Sequence, residues 1–175
     1  MAQAYSLEVW HYGEVMTKDS SIERGKIYFS FNNEQIQIQT PTQLKIYHAK
    51  DVLHFRFTDS LSNELREVKT VNYKTNDDYS VPGFFEVLEE GTQMSLLKRE
   101  YVAEYAVTDG ISGFLSYQKQ LEVDYFYAIN GGIYFITLKQ KKFFEIFGVK
   151  ELQMRQYYKT NKLKLNREKD LIKIF

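Results

Sequence analysis

From Gly25 to Gln39 the chain reads GKIYFSFNNEQIQIQ, and apolar and polar residues alternate on both sides of Asn32-Asn33. A strand turns successive side chains to opposite faces. Ile27, Phe29 and Phe31 therefore share one face, and Lys26, Tyr28 and Ser30 the other. Ile36 and Ile38 sort away from the glutamines in the same way. A helix of 3.6 residues per turn would scatter both sets around its circumference. The stretch predicts a hairpin, and an isolated hairpin needs further strands to bury its apolar face.

Those strands are written along most of the chain. Leu7 to Met16 reads as the first, closed by Lys18-Asp19-Ser20-Ser21. Beyond Pro41, LKIYHA resumes the alternation, and VLHFRF continues it with Leu53, Phe55 and Phe57 predicted inward. Ser60 to Glu64 is turn-like, Leu65 to Tyr73 a weaker strand, and residues 76–83 a loop containing Pro82-Gly83. FFEVLEEG and TQMSLLKREYVAEYAV fit a helix face or a strand face; Gly91 and Asp109-Gly110, placed as turns, favour strands. Leu115 to Ile129 and Ile133 to Lys139 flank Asn130-Gly131-Gly132, a sequence made for positive φ. The 14 Tyr and 13 Phe suit pleated, half-buried surfaces.

After Lys139 the period changes. At 100° per residue Phe143, Phe144, Phe147, Met154, Tyr157 and Tyr158 gather on one side, with Gly148 interrupting. One continuous helix and a short helix followed by a longer one both satisfy this pattern. KLKL at 162–165 alternates briefly. Asn166 then stands where an N-cap would open a last helix bearing Leu171, Ile172, Ile174 and Phe175. From Lys139 onward 11 Lys/Arg stand against 4 Asp/Glu, whereas the preceding 138 residues carry 12 against 19. Glu145, Glu151, Glu168 and Asp170 break up the basic face, and the acidic body would repel phosphate, so no nucleic-acid partner is expected. The expectation is an aromatic stripe docked on the chain's own β-layer, with basic side chains meeting the acidic body.

Motifs that carry chemistry are sparse. RGKIYFSF at 24–31 begins and ends like an RNA-binding signature, but Lys26, Ile27 and Phe29 break the pattern. His48, Asp51 and His54 form the one ligand-like cluster; on a regular strand Asp51 would point away from both histidines, leaving them as outward strand residues. His11 reads as another strand-face residue. Glu86, Glu89 and Glu90 read as a solvated strand end, since a general-acid pair must converge across a cleft. Asp77-Asp78 lacks the ligand spacing of a calcium loop, and GISGF at 110–114 has too few glycines for a phosphate cradle. Tyr125-Phe126-Tyr127 and Tyr157-Tyr158 offer aromatic surface for a sugar or a protein. With no Cys there is neither a disulfide nor a thiolate centre. No catalytic, cofactor-binding or metal residue is assigned, and no cofactor is expected.

FFEVLEEGTQMSLLKRE (84–100) and YYKTNKLKLNREKDLIKIF (157–175), with YHAKDVLHFRFTD (47–59), resemble uncharacterised exported, β-rich envelope proteins of Bacteroidetes-type bacteria. The resemblance covers about half the chain and implies a secreted, periplasmic or envelope location, with no activity to carry over. Ala2-Gln3-Ala4 has the small-x-small form that precedes a signal cleavage site, although no complete signal precedes it; a cytoplasmic location is the alternative. No apolar run approaches the roughly 20 residues of a transmembrane helix. The expected fold is α+β: one domain over 1–175, with an antiparallel β-roll or incomplete barrel over 1–139 and two or three helices over 140–175 as a cap. The expected role is that of a non-enzymatic binding or structural protein of the cell envelope, with an unidentified protein or small-molecule partner. A curled sheet binding a small molecule is the alternative, and a carboxylate-based hydrolase comes third.

Overall fold

The computed structural model describes residues 9–74, 79–108, 110 and 113–175. Among these residues ten strands form one open sheet: β1 His11–Thr17, β2 Ile22–Ser30, β3 Gln35–Gln39, β4 Leu44–His48, β5 Val52–Thr58, β6 Leu65–Lys74, β7 Ser80–Glu90, β8 Ser95–Thr108, β9 Leu115–Ile129 and β10 Gly132–Phe135. Their order is β10-β9-β8-β7-β6-β5-β1-β2-β3-β4, and every pair with a defined register is antiparallel. The helical pieces come last: α1 Gln140–Phe143, 3-10 turns over Phe144–Lys150, α2 Glu151–Thr160 and α3 Glu168–Ile172. This is the expected α+β class of antiparallel roll with a helical end. The chain groups into two compact units, residues 1–86 with 99–123, and residues 87–98 with 124–175.

In the first unit the sheet has to roll. Laid flat, β4 and β5 would stand four strand spacings apart, about 19 Å. Yet a single 3-10 turn, Ala49–Asp51, joins them, and such a turn advances only about 2 Å per residue. The Lys18 N–H donates to Asp51 O at 2.9 Å and the Ala49 N–H to Glu34 O at 3.0 Å, tying both ends of the turn to neighbouring loops. Val15, Ile27, Phe31, Ile36, Ile38, Val52, Phe55, Phe57, Val68 and Phe84 then form one buried cluster. Phe29, partly buried, packs against this cluster, with ring centroids 5.3 Å from Phe55 and 4.9 Å from Phe57.

The hairpin expected around Asn32-Asn33 forms, with Ile27 opposite Ile38 and Phe29 opposite Ile36. Leu53 departs from expectation. Met16 pairs with His54 but Thr17 pairs with Val52, so Leu53 is the extra residue of a bulge. The bulge turns Leu53 outward and brings Val52 inward beside Phe55 and Phe57. Pro82-Gly83 is another correction: both lie inside β7, opposite Asn72 and Val71. Gly83 is needed there because a Cβ would stand 2.5 Å from the Tyr73 ring. Residues 76–78 of the expected loop, and Asp109 of the expected turn, lie outside the described residues.

FFEVLEE of the first ambiguous segment and SLLKREYVAEYAV of the second are strands, with Gly91 and Thr92-Gln93-Met94 in the turn between them. At the far hairpin Asn130 (φ 50°) and Gly131 (φ 77°) supply the two positive-φ residues of a tight turn. β10 stops at Phe135, four residues short of the expected end.

In the second unit the tail lies on strands. Phe143, Phe144, Leu163, Leu165, Leu171 and Ile174 are buried with Leu96 of β8 and Ile136; Leu88, Tyr125, Tyr127, Phe147, Met154, Tyr158 and Ile172 pack around them. The alternation of KLKL is thus real, with the leucines in and the lysines out. The helix breaks at Gly148, whose φ of 52° and ψ of −120° suit glycine alone. Arg167, not Asn166, is the N-cap of α3. Tyr157 is 40% exposed and stands outside the stripe. The ion pair that fastens α3 carries the opposite polarity to the one expected: Lys98 of β8 meets Glu168 at 3.2 Å. Arg155 pairs with Glu151 of its own helix, donates from Nη2 to Lys141 O at 3.0 Å and covers the Phe144 ring at 4.9 Å.

Phe144 touches Phe143, Phe147 and Tyr158 and is wholly buried. Phe144→Ala is expected to cost about 3–5 kcal/mol in urea-induced unfolding, the usual price of emptying a core phenylalanine site. Val149→Ala, on a fully exposed residue, is expected to stay within about 0.5 kcal/mol of the parent.

Candidate functional site

The strands of the first unit assemble three polar or apolar constellations that the sequence leaves scattered. The first is inside. Register places Phe57 opposite Arg66, and Val68 opposite Glu86, so Arg66 and Glu86 share the core face with Phe55 and Phe84. Arg66 Nε donates to Glu86 Oε1 at 2.8 Å, Nη1 to Asp59 at 3.2 Å and Nη2 to Glu100 at 3.1 Å. Its guanidinium also lies 5.5 Å from the Phe57 ring centroid. Burial alone would pull the Arg66 pKa down; Glu86 and Glu100 outweigh it and hold the cation above its ordinary value. Asp59 is pushed up by burial, but N–H groups of Leu61 and Ser62 and the Arg66 charge leave it below the ordinary range.

His11 belongs to this layer. It is 7% exposed, not a surface residue of its strand, and its ring lies 4.8 Å from that of Phe57. Nδ1 accepts the Ser60 N–H at 3.0 Å, which requires the imidazole to be unprotonated at that nitrogen. Burial lowers its pKa from the ordinary value; Asp59 opposes this and Arg66 adds to it. Glu86 is likewise 5% exposed and paired, so the expected solvated strand end holds for Glu89 and Glu90 alone.

The second constellation crosses the outer face. Arg24, Glu14 and Arg56 stand side by side on β2, β1 and β5. Glu14 accepts from Arg24 Nε at 3.0 Å and from Arg56 Nε at 2.6 Å. Arg56 foremost, and Arg24 with it, keep the Glu14 carboxyl below the ordinary range. Above this row an open hollow of about 310 Å³ is lined by Tyr12, Glu14, Arg24, Arg56, Thr58 and Leu65, among others. It offers two cations and an exposed ring, but both arginines are already engaged by Glu14.

The third is the outer half of the β8–β9 hairpin. Phe114 is 76% exposed, Leu115 58% and Tyr117 67%, and residues 113–120 are exposed throughout. Lys119 pairs with Glu104 across the hairpin at 3.1 Å, and Tyr105 Oη donates to Glu122 at 2.9 Å. These cross-strand contacts hold a two-stranded arm with apolar side chains displayed on it.

Other sequence candidates disperse. His48 is exposed, and the Asp51 carboxylate turns back to the His48 N–H at 3.4 Å to close the 3-10 turn. His54 lies on β5 opposite Met16 and Lys69. Among the described residues no group of three His, Asp or Glu is placed to hold a metal ion. Tyr125 and Tyr127 pack in the second unit, where Tyr127 stacks on Tyr134 at 5.2 Å. Asp77-Asp78, Ala2-Gln3-Ala4 and Ile111-Ser112 of GISGF lie outside the described residues. No helix among the described residues is long and apolar enough to cross a membrane. No protein-family model matches the chain, and neither a curated protein nor a solved structure shows significant similarity to it.

Removing one partner of a buried ion pair strands the other charge in an apolar setting. Glu86→Leu is expected to destabilise by about 3–5 kcal/mol, and Glu86→Leu with Arg66→Met by clearly less than the sum of the two single changes, measured by chemical denaturation as a double-mutant cycle. For His11 the unfolded chain takes up a proton first as pH falls, because its folded pKa lies below the ordinary 6.5. Stability present above that pH is therefore lost as pH falls through about 6.5 towards the folded pKa. Urea midpoints are expected to drop between pH 7 and 5.5, and the drop to shrink in His11→Leu relative to the parent.

Proposed function

We propose that the chain is a non-enzymatic binding protein and that the β8–β9 arm is its contact surface. The observation that carries this reading is the exposure of Phe114, Leu115 and Tyr117 within four residues of a strand-and-turn segment. Apolar side chains so concentrated lose hydration free energy until something covers them, and such patches mark interaction sites. Aromatic residues on stiff strands also bring contact area at small entropic cost. The resemblance to exported envelope proteins supports a secreted or periplasmic setting for that contact.

Small-molecule capture in the hollow around Glu14 stands second. A ligand anion there would have to share Arg24 and Arg56 with the Glu14 carboxylate, which already accepts from both and would repel it. Carboxylate hydrolysis stands third, because acidic groups turned into the first unit are held by cations: Glu86, Asp59 and Glu100 by Arg66, Glu34 by Arg99 and Glu23 by Lys45.

Photo-crosslinking residues placed at Tyr117 and at Arg24 test the choice in living cells of the native host. Protein adducts are expected from position 117 and not from position 24. Adducts from position 24 alone would overturn the assignment. Phe114→Ser with Tyr117→Ser is expected to remove the adducts formed from position 115 while changing stability by no more than about 1 kcal/mol, since both side chains are solvated.

A further inference from the structure

We propose that the turn between β5 and β6 is a pH-operated latch: a proton on His11 unfastens Ser60 and opens the tip of the turn while the strands on either side stay paired. The base of the turn is closed by its own backbone. The Asp59 N–H donates to Glu64 O and the Asn63 N–H to Asp59 O, both at 2.8 Å. The tip is held differently, because three consecutive N–H groups there go to side chains. Leu61 and Ser62 donate to Asp59 Oδ1 at 2.8 and 3.3 Å, and Ser60 donates to His11 Nδ1 at 3.0 Å. The other Asp59 oxygen accepts from Arg66 of β6 at 3.2 Å. Asp59 is held below the ordinary carboxylate range. Of the two acceptors at the tip, the imidazole is the one that changes role near neutral pH.

That change reverses the sense of one hydrogen bond. An uncharged imidazole offers a lone pair at Nδ1, whereas a protonated one carries hydrogen on both nitrogens. The Ser60 amide hydrogen would then face a second donor across 3.0 Å. Ser60 Oγ, 3.2 Å from Nδ1, can rotate to accept the new N–H. The amide hydrogen is fixed by the peptide plane and cannot turn away. His11 cannot withdraw either, since it is buried with the rings of Phe57 and Phe29 at 4.8 and 6.3 Å. Ser60, Leu61 and Ser62 are exposed. The tip is therefore the part that moves, into water, where the Ser60 amide finds another acceptor and no core residue is uncovered.

The groups around the ring set where the latch trips. β2 and β5 present the uncharged rings of Phe29 and Phe57. The turn contributes Asp59 and β6 contributes Arg66; Glu86 of β7 and Glu100 of β8 are bound to that same guanidinium. Burial outweighs the pull of Asp59, and Arg66 acts in the same direction as burial, so the ring takes its proton below the ordinary 6.5. The latch is shut at neutral pH and opens as the solution turns acidic. Thr58 and Leu65 pair at the foot of the turn, and both line the outer hollow. Opening thus acts on the rim of that hollow.

Nuclear magnetic resonance of the full chain between about pH 7.5 and about pH 5 tests the latch. Imidazole nitrogen shifts report the proton on His11. Amide exchange, expressed relative to an unstructured peptide at the same pH, reports opening. Ser60 protection is expected to fall at least about tenfold with the midpoint of the His11 titration, while amides inside β1 and β5 stay protected at least about a hundredfold more than Ser60. In His11→Asn an amide oxygen accepts at every pH, and the dependence at Ser60 is expected to vanish. In His11→Phe Ser60 is expected to be unprotected throughout. Should either variant fail to fold, the parent titration decides alone. Constant Ser60 protection through the imidazole titration, an imidazole that stays uncharged over the whole range, or β1 and β5 losing protection to the level of Ser60 would each overturn the proposal. So would a His11→Asn protein that keeps the parent's pH dependence.

Discussion

A link of three residues between β4 and β5 governs the first unit. The strands it joins stand four places apart in the sheet, and Ala49-Lys50-Asp51 cannot reach unless the intervening strands roll. Rolling turns the apolar faces of β1, β2, β3 and β5 onto one another, which is what buries Ile27, Ile36, Ile38, Phe55 and Phe57 in one cluster. The bulge at Leu53 is part of the same device. It follows the 3-10 turn directly, and it realigns β5 against β1 so that Val52 faces in while Phe55 and Phe57 remain buried. The phenylalanines of this core depend on a backbone constraint that contains no phenylalanine.

Rolling also decides where charge ends up. The core face continues from Phe57 and Val68 to Arg66 and Glu86, so polar groups come inward with the apolar ones. Each buried charge costs several kcal/mol in lost hydration. The cost is offset by several partners at once: Arg66 has three carboxylates and the Phe57 ring. Arg99 repeats the arrangement with Glu34, Phe31 O and the rings of Tyr73 and Phe85. A well-packed apolar substitute could match either network in stability. The networks also fix direction, since a guanidinium fork accepts its carboxylates in few orientations. Glu34 sits at φ 49° in the turn between β2 and β3, and its carboxylate also receives the Phe84 N–H at 2.7 Å. Turn geometry and ion pairing thereby constrain one another.

The strands, the hairpin at Asn32-Asn33, the turn at Asn130-Gly131 and the aromatic tail were all legible, because each is dictated by residues close together in the chain. Period two, period 3.6 and positive-φ glycine are local signals. What was not legible depends on register. Leu53 faces out because of a pairing with β1, some forty residues upstream. Pro82-Gly83 looks like a loop until Tyr73 and Glu34 are seen beside it. His11 and Glu86 carry ordinary surface identities, and nothing near them in sequence announces Ser60 or Arg66 as partners. One hint was available: Leu44 and Ile46 alternate with Lys45 and Tyr47, and it is the polar pair that turns inward to Glu23. Alternation reveals that a strand has two faces, but not which of them is buried.

The same register argument separates the constellations by what they have left to give. Inside the roll every named charge is answered, so that layer supports the fold and has little free energy to offer a ligand. On the outer face Glu14 is shared by two arginines, and an incoming anion would meet cations whose charge a carboxylate already offsets. On the arm the balance is reversed. Lys119, Glu104, Tyr105 and Glu122 satisfy one another within the hairpin, whereas Phe114, Leu115 and Tyr117 are largely exposed. Hydration of those groups is the free energy still to be released. The proposed contact on the arm would draw on what the rest of the first unit leaves exposed.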